Sequence, residues 1–196
     1  MAAPMTRIEQ KRATREELVR AARELFVEQG YPATSAEAIA RAAGVSRATF
    51  YLHFRSKAEV VVGLMRDLEA GVAADYRALD ALVDPDLEAV SAWLHRHAEQ
   101  WRRSRNEYAA MEQALANEPA VADEWFAMVQ RTAASMTRLL DRQPDEAARA
   151  QAHVHAVALE MSVDRNFHFA IVRGHDANFD AVVRALAEQW LVLLRR

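Results

Sequence analysis

The chain has no cysteine in 196 residues, which excludes disulfides and thiolate metal sites together. Lysine is nearly missing as well: Lys11 and Lys57 stand against twenty-three arginines, a ratio opposite to the lysine enrichment of hyperthermophile surfaces. No apolar run approaches the length of a membrane span, and MAAPMTRIEQKRATR lacks the apolar centre of a signal peptide. A cytoplasmic protein that does not engage a membrane is therefore expected. No nucleophile–base motif, glycine-rich phosphate loop or metal-ligand cluster is visible, so neither an enzyme nor a cofactor is expected. The histidine pairs His95/His97 and His153/His155 are two residues apart, which on a helix points the rings in roughly opposite directions. They predict no metal site.

What is present begins with uneven charge. Residues 1–57 carry ten Lys/Arg against six Asp/Glu, and the remainder fifteen against twenty-two, for a net charge of −3. A basic amino-terminal part on an acidic protein suits local phosphate binding rather than indiscriminate coating of nucleic acid.

That basic part contains TSAEAIARAAGVSRATFYLHFRSK, Thr34 to Lys57. Thr34 and Glu37 have the spacing of a capping box, which predicts a helix start at residue 34. Ile39, Ala40 and Ala43 share one face, Gly44 can take positive φ in the turn, and Ser46 can cap the next helix. Phe50 and Phe54 give that second helix its buried face. Its free face holds Arg47, Ala48, Tyr51 and Leu52, with Thr49 and His53 at the margins. This is a helix-turn-helix, and it points to DNA. Ser56 and Glu59 repeat the capping-box spacing, which puts Lys57 in the first turn of another helix, a position suited to clamping a phosphate. The plain alternative is a surface lysine. Upstream, Thr14 and Glu17 have the same spacing, Leu18, Ala21, Ala22, Leu25 and Phe26 form an apolar stripe, and Gly30, Tyr31 and Pro32 end the helix. Residues 1–11 lack apolar periodicity and read as a mobile basic arm, with Arg7, Lys11 and Arg12 available to phosphates.

GVSRATFYLHFRSKAEV resembles the DNA-binding signature of the tetracycline-repressor family of bacterial regulators, and the motif likeness covers residues 10 to 66. SRATFYLHFRSKAEV and ALEMSVDRNFHFAIVRG carry a fainter likeness to that family's ethionamide-resistance branch. The resemblance implies an all-α, nine-helix fold: a DNA-binding domain at 12–55 and a ligand-binding and dimerisation domain at 56–196. It implies a homodimer on a near-palindromic operator, contacted through Thr34, Ser46, Arg47, Ala48, Thr49, Tyr51, Leu52, His53 and Lys57. It further implies a repressor released by a small apolar or amphipathic effector, with the fourth helix as connecting rod. The alternative is a DNA-binding dimer without such a ligand, controlled by a protein partner or by concentration.

Beyond Ser56 the patterning is helical throughout. Starts and stops predict helices at 56–82, 85–103, 105–116, 119–141, 145–173 and 178–195. Trp93, His97 and Trp101 fall at i, i+4, i+8, with Tyr108 and Met111 on the next helix and Trp125, Met128 and Val129 on the one after. Singly each reads as ordinary core; as a set they are expected to border a cavity, joined by Glu160, Val163 and Phe167. Glu160 among Leu159, Met161 and Val163 must face solvent, find a partner or orient a ligand. In the resembled branch, ligand-contacting asparagines would fall near Glu160 and Val163, so a different ligand is implied. The last two helices are apolar round more than one face. The resemblance assigns them a four-helix dimer interface, here expected at Phe169, Val172, Val183, Leu186, Trp190 and Leu194; the alternative is a buried core hairpin.

Overall fold

The computed structural model describes residues 6–195, and among these the regular structure is all helical. Ten α-helices run in order: α1 (Arg7–Ala33), α2 (Ala36–Ala42), α3 (Arg47–His53), α4 (Lys57–Asp80), α5 (Leu87–Arg103), α6 (Arg105–Leu115), α7 (Pro119–Ala134), α8 (Thr137–Asp141), α9 (Glu146–Phe167) and α10 (Phe179–Leu194). One wide π-helical turn, His168–Val172, prolongs α9.

The count is ten rather than nine because the segment expected as 119–141 breaks after Ala134. Ser135 Oγ turns back to the Thr132 carbonyl at 2.7 Å, and the chain restarts as α8. The restart is capped from far away. Asp80, at the end of α4, accepts from the backbone N–H groups of Arg138 and Leu139, each at 2.8 Å. A carboxylate on the free N–H groups of a helix start replaces the usual adjacent cap.

Helix α1 also starts earlier than its periodicity indicated. Thr6 and Glu9 form a complete capping box, so residues 7–11 are helical rather than an arm; residues 1–5 of the expected arm lie outside the described residues. Thr14, expected to cap, instead donates its hydroxyl to the Gln10 carbonyl inside the helix. Gly30, with φ of +81°, ends the regular part of α1 as expected, and Tyr31 to Ala33 form a separate turn.

The residues fall into two compact units. The first comprises the described residues up to Arg66 together with Ala109–Ala122; the second comprises Asp67–Tyr108 and Asp123 onward. The expected boundary at 55/56 thus falls inside the first unit, which takes the first part of α4 and part of α6 and α7. Its core joins Leu18, Ala21, Ala22 and Phe26 of α1 with Ile39, Ala40, Phe50 and Phe54, and with Val60, Val61, Leu64 and Met65 of α4. Burying Phe50 and Phe54 stabilises by about 2 kcal/mol each. A seven-residue helix such as α3 does not persist alone, so this burial holds it. The second unit is built on Tyr76, Leu79, Trp93, Leu94, Phe167, Leu186 and Trp190, all at most 2% exposed.

Candidate nucleic-acid interface and buried cavity

The helix-turn-helix is set by local chemistry. Ser35, rather than Thr34, caps α2, its Oγ accepting the Ala38 N–H at 3.1 Å. Thr34 is buried, and its hydroxyl donates to the Gly30 carbonyl at 2.8 Å. It closes the turn after α1 and offers no surface to DNA, contrary to expectation. Two adjacent hydroxyls competed for one cap, and the spacing of Glu37 favoured the wrong one. Glu37 does not reach back to the cap; its carboxylate holds Arg47 Nε at 2.8 Å.

Gly44, with φ of +68°, makes the turn into α3, and Ser46 Oγ accepts the Thr49 N–H at 3.0 Å. Arg47, Ala48, Tyr51 and Leu52 are exposed, Leu52 at 76%, while Thr49 and His53 are partly covered. An apolar side chain held that far out of the core is a candidate base contact, since a thymine methyl is its natural partner in a major groove. Arg15 anchors the far end of α3: its Nη1 donates to the His53 carbonyl at 2.8 Å and its guanidinium lies 4.0 Å from the Phe54 ring centre. Arg7, Gln10, Lys11 and Thr14 of α1 line one groove with Leu52 and His53. Two basic residues of the expected arm, Arg7 and Lys11, therefore stand beside α3 on a helix, while Arg12 holds Glu16 at 2.7 Å. Burial, with Lys11 and Arg15 nearby, lowers the His53 pKa.

Lys57 has a different role from the one its position suggested. Its Nζ donates to the carbonyls of Tyr31 at 2.7 Å, Thr34 at 2.9 Å and Pro32 at 3.3 Å, and sits 4.2 Å from the Tyr31 ring centre. These carbonyls belong to the turn that ends α1, where the Tyr31 carbonyl also accepts the Thr34 N–H at 3.2 Å. Burial lowers the Lys57 pKa, partly opposed by Glu118. Tyr31 is tied further: its N–H donates to Gln113 Oε1 and its hydroxyl to Glu118 Oε1, both at 2.8 Å. Burial, then Glu118, raises the Tyr31 pKa. Replacing Lys57 by methionine keeps the aliphatic stem and removes three charged hydrogen bonds. The melting midpoint should fall by several degrees without DNA, corresponding to about 2 kcal/mol. An unchanged midpoint with weakened DNA binding would instead restore the phosphate role.

In the second unit, His97, Trp101, Tyr108, Trp125, Met128, Val129 and Glu160 line one cavity, as the sequence suggested. Val72 and Tyr76 of α4 and Asp164 of α9 join them; sequence reasoning missed these. Their i, i+4 spacings, 72/76 and 160/164, were the available signal.

Four expected residues are elsewhere. Trp93 stands behind the lining, stacked on His97 at 5.5 Å between ring centres, its Nε1 donating to the Asp75 carbonyl. Phe167 is fully buried against His97 and Trp101, and Val163 is buried off the lining. Met111 belongs to the first unit.

The cavity leaves about 20 Å³ free, room for about one water. His97 Nδ1 pairs with Asp75 Oδ2 at 2.9 Å. Glu160 is 5% exposed with no partner for Oε2, and Tyr108 Oη is equally buried and unpartnered. Burial, and then Asp164 one turn away, push the Glu160 carboxyl up to about 9. Burial also raises the Tyr76 and Tyr108 pKa values. Among the described residues no three of His, Asp and Glu converge to hold a metal, and no helix is long and apolar enough to cross a membrane.

The expected interface residues divide. Val183, Leu186, Trp190 and Leu194 lie in the protomer's own core, each at most 4% exposed. Trp190 packs on Tyr76 and Trp93. Phe169 is half exposed and Val172 partly so. The outward apolar surface of α9 and α10 is instead Val154, Met161 and Val192, with a shallow groove between His155, Ala158, Leu159, Gln189, Val192 and Leu193.

Comparison with known proteins agrees with this geometry. Residues 18–64 match the family of bacterial regulatory proteins, tetR family. Over 80 residues the chain is 39% identical to the uncharacterized HTH-type transcriptional regulator TtgW of Pseudomonas putida, covering 41% of this chain and 54% of that one. Over 59 residues it is 48% identical to the HTH-type transcriptional regulator TcmR of Streptomyces glaucescens, covering 30% and 26%. The matched part thus spans about half or less of these relatives' length. The Thermus thermophilus TetR-family transcriptional repressor FadR, solved with lauroyl-CoA, superposes with a TM-score of 0.63 at 26% identity, covering 92% of this chain and 93% of that one. The helix-turn-helix head thus matches the tetR family of bacterial regulatory proteins by sequence, and the all-helical fold is similar to that of a TetR-family repressor over nearly its whole length.

Proposed function

We propose that the protein is a homodimeric transcriptional repressor that binds a near-palindromic operator through α3 and leaves it when a small molecule fills the cavity of the second unit. The observation that carries this reading is the division of α3: Phe50 buried, Arg47, Ala48, Tyr51 and Leu52 exposed, and Arg7 and Lys11 alongside. In this arrangement Arg47 reads a guanine edge, Leu52 meets a thymine methyl, and Tyr51, Thr49, Lys11 and Arg7 position phosphates. Arg47 must first leave Glu37, so Glu37 sets a threshold that only a well-placed guanine overcomes.

A dimer presents two such helices about one DNA turn apart, some 34 to 36 Å. The outward face of α9 and α10 around Ala158 and Val192 suits a twofold interface, because small and apolar residues there lack cover within the protomer. Release follows from shared helices. Helix α4 carries Tyr76 in the cavity lining and Lys57 under the turn after α1, and α6 carries Tyr108 and Gln113. A ligand that displaces Tyr76 or Tyr108 strains helices that also hold the head, and it acts only through its different affinity for the two forms. FadR, with its lauroyl-CoA, is a protein of this fold that accommodates a ligand. The small free volume of the cavity favours a second reading, a DNA-binding dimer without an effector.

Footprinting on the DNA upstream of the protein's own gene tests the reading, with protection of an inverted repeat expected. Arg47→Ala should weaken operator binding by about 1 to 3 kcal/mol while leaving random DNA nearly unaffected. Equal loss on both would mean that Arg47 reads no base.

A further inference from the structure

We propose that Arg15 is a positioning residue for base reading: it aims the carboxyl-terminal half of α3, from which Leu52 projects, independently of the amino-terminal half that carries Arg47. The proposal rests on the DNA-reading role of α3 given above and goes beyond it to the group that sets the direction of one half.

Arg7, Lys11 and Arg15 recur at i, i+4 and i+8, so they share one face of α1. The first two line the open groove with Leu52 and His53, and the third reaches the end of α3. Three contacts hold its guanidinium. Nη1 donates to the His53 carbonyl at 2.8 Å, the planar group lies 4.0 Å from the Phe54 ring centre, and Nη2 lies 3.9 Å from where a Cβ on Gly63 of α4 would stand. The hydrogen bond satisfies a carbonyl that a helix end leaves without an intrahelical donor, and the positive charge suits the negative end of the helix. The ring contact adds a rotational constraint. Phe54 follows His53 directly, so a flat group on its face fixes how the last turn of α3 is rotated about its own axis; a planar guanidinium stacks and donates at once, which an ammonium does not. Gly63 supplies the seat. Among the described residues, and apart from its own helix backbone, a Cβ there meets nothing within 4 Å except Arg15 Nη2.

Different groups hold the other end of α3. Ser46 Oγ caps it through the Thr49 N–H, and Glu37 holds Arg47 Nε at 2.8 Å. A seven-residue helix held separately at its two ends can lose one hold and keep the other. Loss of Arg15 therefore blunts base reading by Leu52 and spares reading by Arg47. A residue that only stabilised the fold would lower the melting midpoint and leave every base preference of the folded protein unchanged.

Selection of bound duplexes from a randomised library, at a temperature well below each variant's melting midpoint, separates these cases. Arg47→Ala and Leu52→Ala identify the positions that each side chain reads, as those whose base preference is lost. Arg15→Met keeps an unbranched stem without the charge or the plane, and should bring the Leu52 positions to near parity while the Arg47 positions keep their preference. Gly63→Leu fills the seat of the guanidinium from another helix and should give the same profile; it carries the test alone if Arg15→Met does not fold. Gly63→Ala adds one methyl at ordinary contact distance and should keep the wild-type profile. A wild-type profile from Arg15→Met or Gly63→Leu overturns the proposal, as does equal loss at the Leu52 and Arg47 positions. A Leu52→Ala profile equal to the wild type's leaves nothing for Arg15 to aim and overturns it too. If the wild type enriches no sequence, the DNA-reading role itself falls and the proposal with it.

Discussion

Replacing Trp190 by alanine should lower the free energy of unfolding by about 3 to 5 kcal/mol, at any protein concentration. Trp190 is fully buried within one protomer, tilted on Tyr76 at 5.7 Å and edge-on to Trp93 at 6.1 Å between ring centres. Truncation removes one of the two tryptophans of that cluster and leaves a cavity its neighbours cannot readily fill, because α5 and α10 are packed closely against each other. Val192 makes the contrasting case two residues away. It is 58% exposed, so Val192→Glu should leave the fold of the protomer nearly intact while breaking a dimer formed on that face. Denaturant titration at two protein concentrations and sedimentation of each variant separate the effects. A Trp190→Ala variant that unfolds like the wild type but sediments as a monomer would return Trp190 to the interface.

The second large effect is in the pH dependence of stability. The Glu160 carboxyl has a pKa of about 9 folded against 4.5 unfolded, so below pH 4.5 both states hold the proton and burial carries no charge penalty. As pH rises through 4.5 the unfolded chain releases that proton while the folded one keeps it. Stability is lost progressively until the folded group ionises near pH 9. At pH 7 the loss amounts to about 3 kcal/mol. Glu160→Gln removes the titration at nearly constant shape, so the variant's melting midpoint should exceed the wild type's increasingly from pH 5 to pH 8, by roughly 10 °C at the upper end. Midpoints that run parallel across this range would show that Glu160 is already ionised, held by a partner that enters the site in solution. The destabilisation has a physical counterpart in binding: a group that weakens the empty protein is one a ligand can relieve.

How far the sequence could be read depended on the range of the interactions concerned. The helix-turn-helix was legible because its determinants lie within a few residues of one another: Ser46 capping α3, Gly44 at positive φ, Phe50 and Phe54 four apart. Even there, Thr34 and Ser35 could not be told apart, since both are hydroxyls at the same helix start and only the path of the chain after Gly30 buries one of them. Lys57 shows the same limit at longer range. Its place in the first turn of α4 was correct, but three carbonyls more than twenty residues upstream, not a phosphate, receive its protons. The break between α7 and α8 was invisible because its cap, Asp80, lies nearly sixty residues away.

The sequence by itself determined the helical class, the helix-turn-helix head and its exposed face, and most of the aromatic lining of the cavity. Periodicity and local capping encode these, because a helix turns every few residues whatever surrounds it. Only the tertiary structure decided which side of α9 and α10 is core and which is free, that Glu160 is buried without a partner, and that Tyr76 and Asp164 complete the cavity. Apolar content states how much surface seeks cover but not what covers it. A carboxyl's ionisation likewise depends on neighbours that several helices bring from distant parts of the chain.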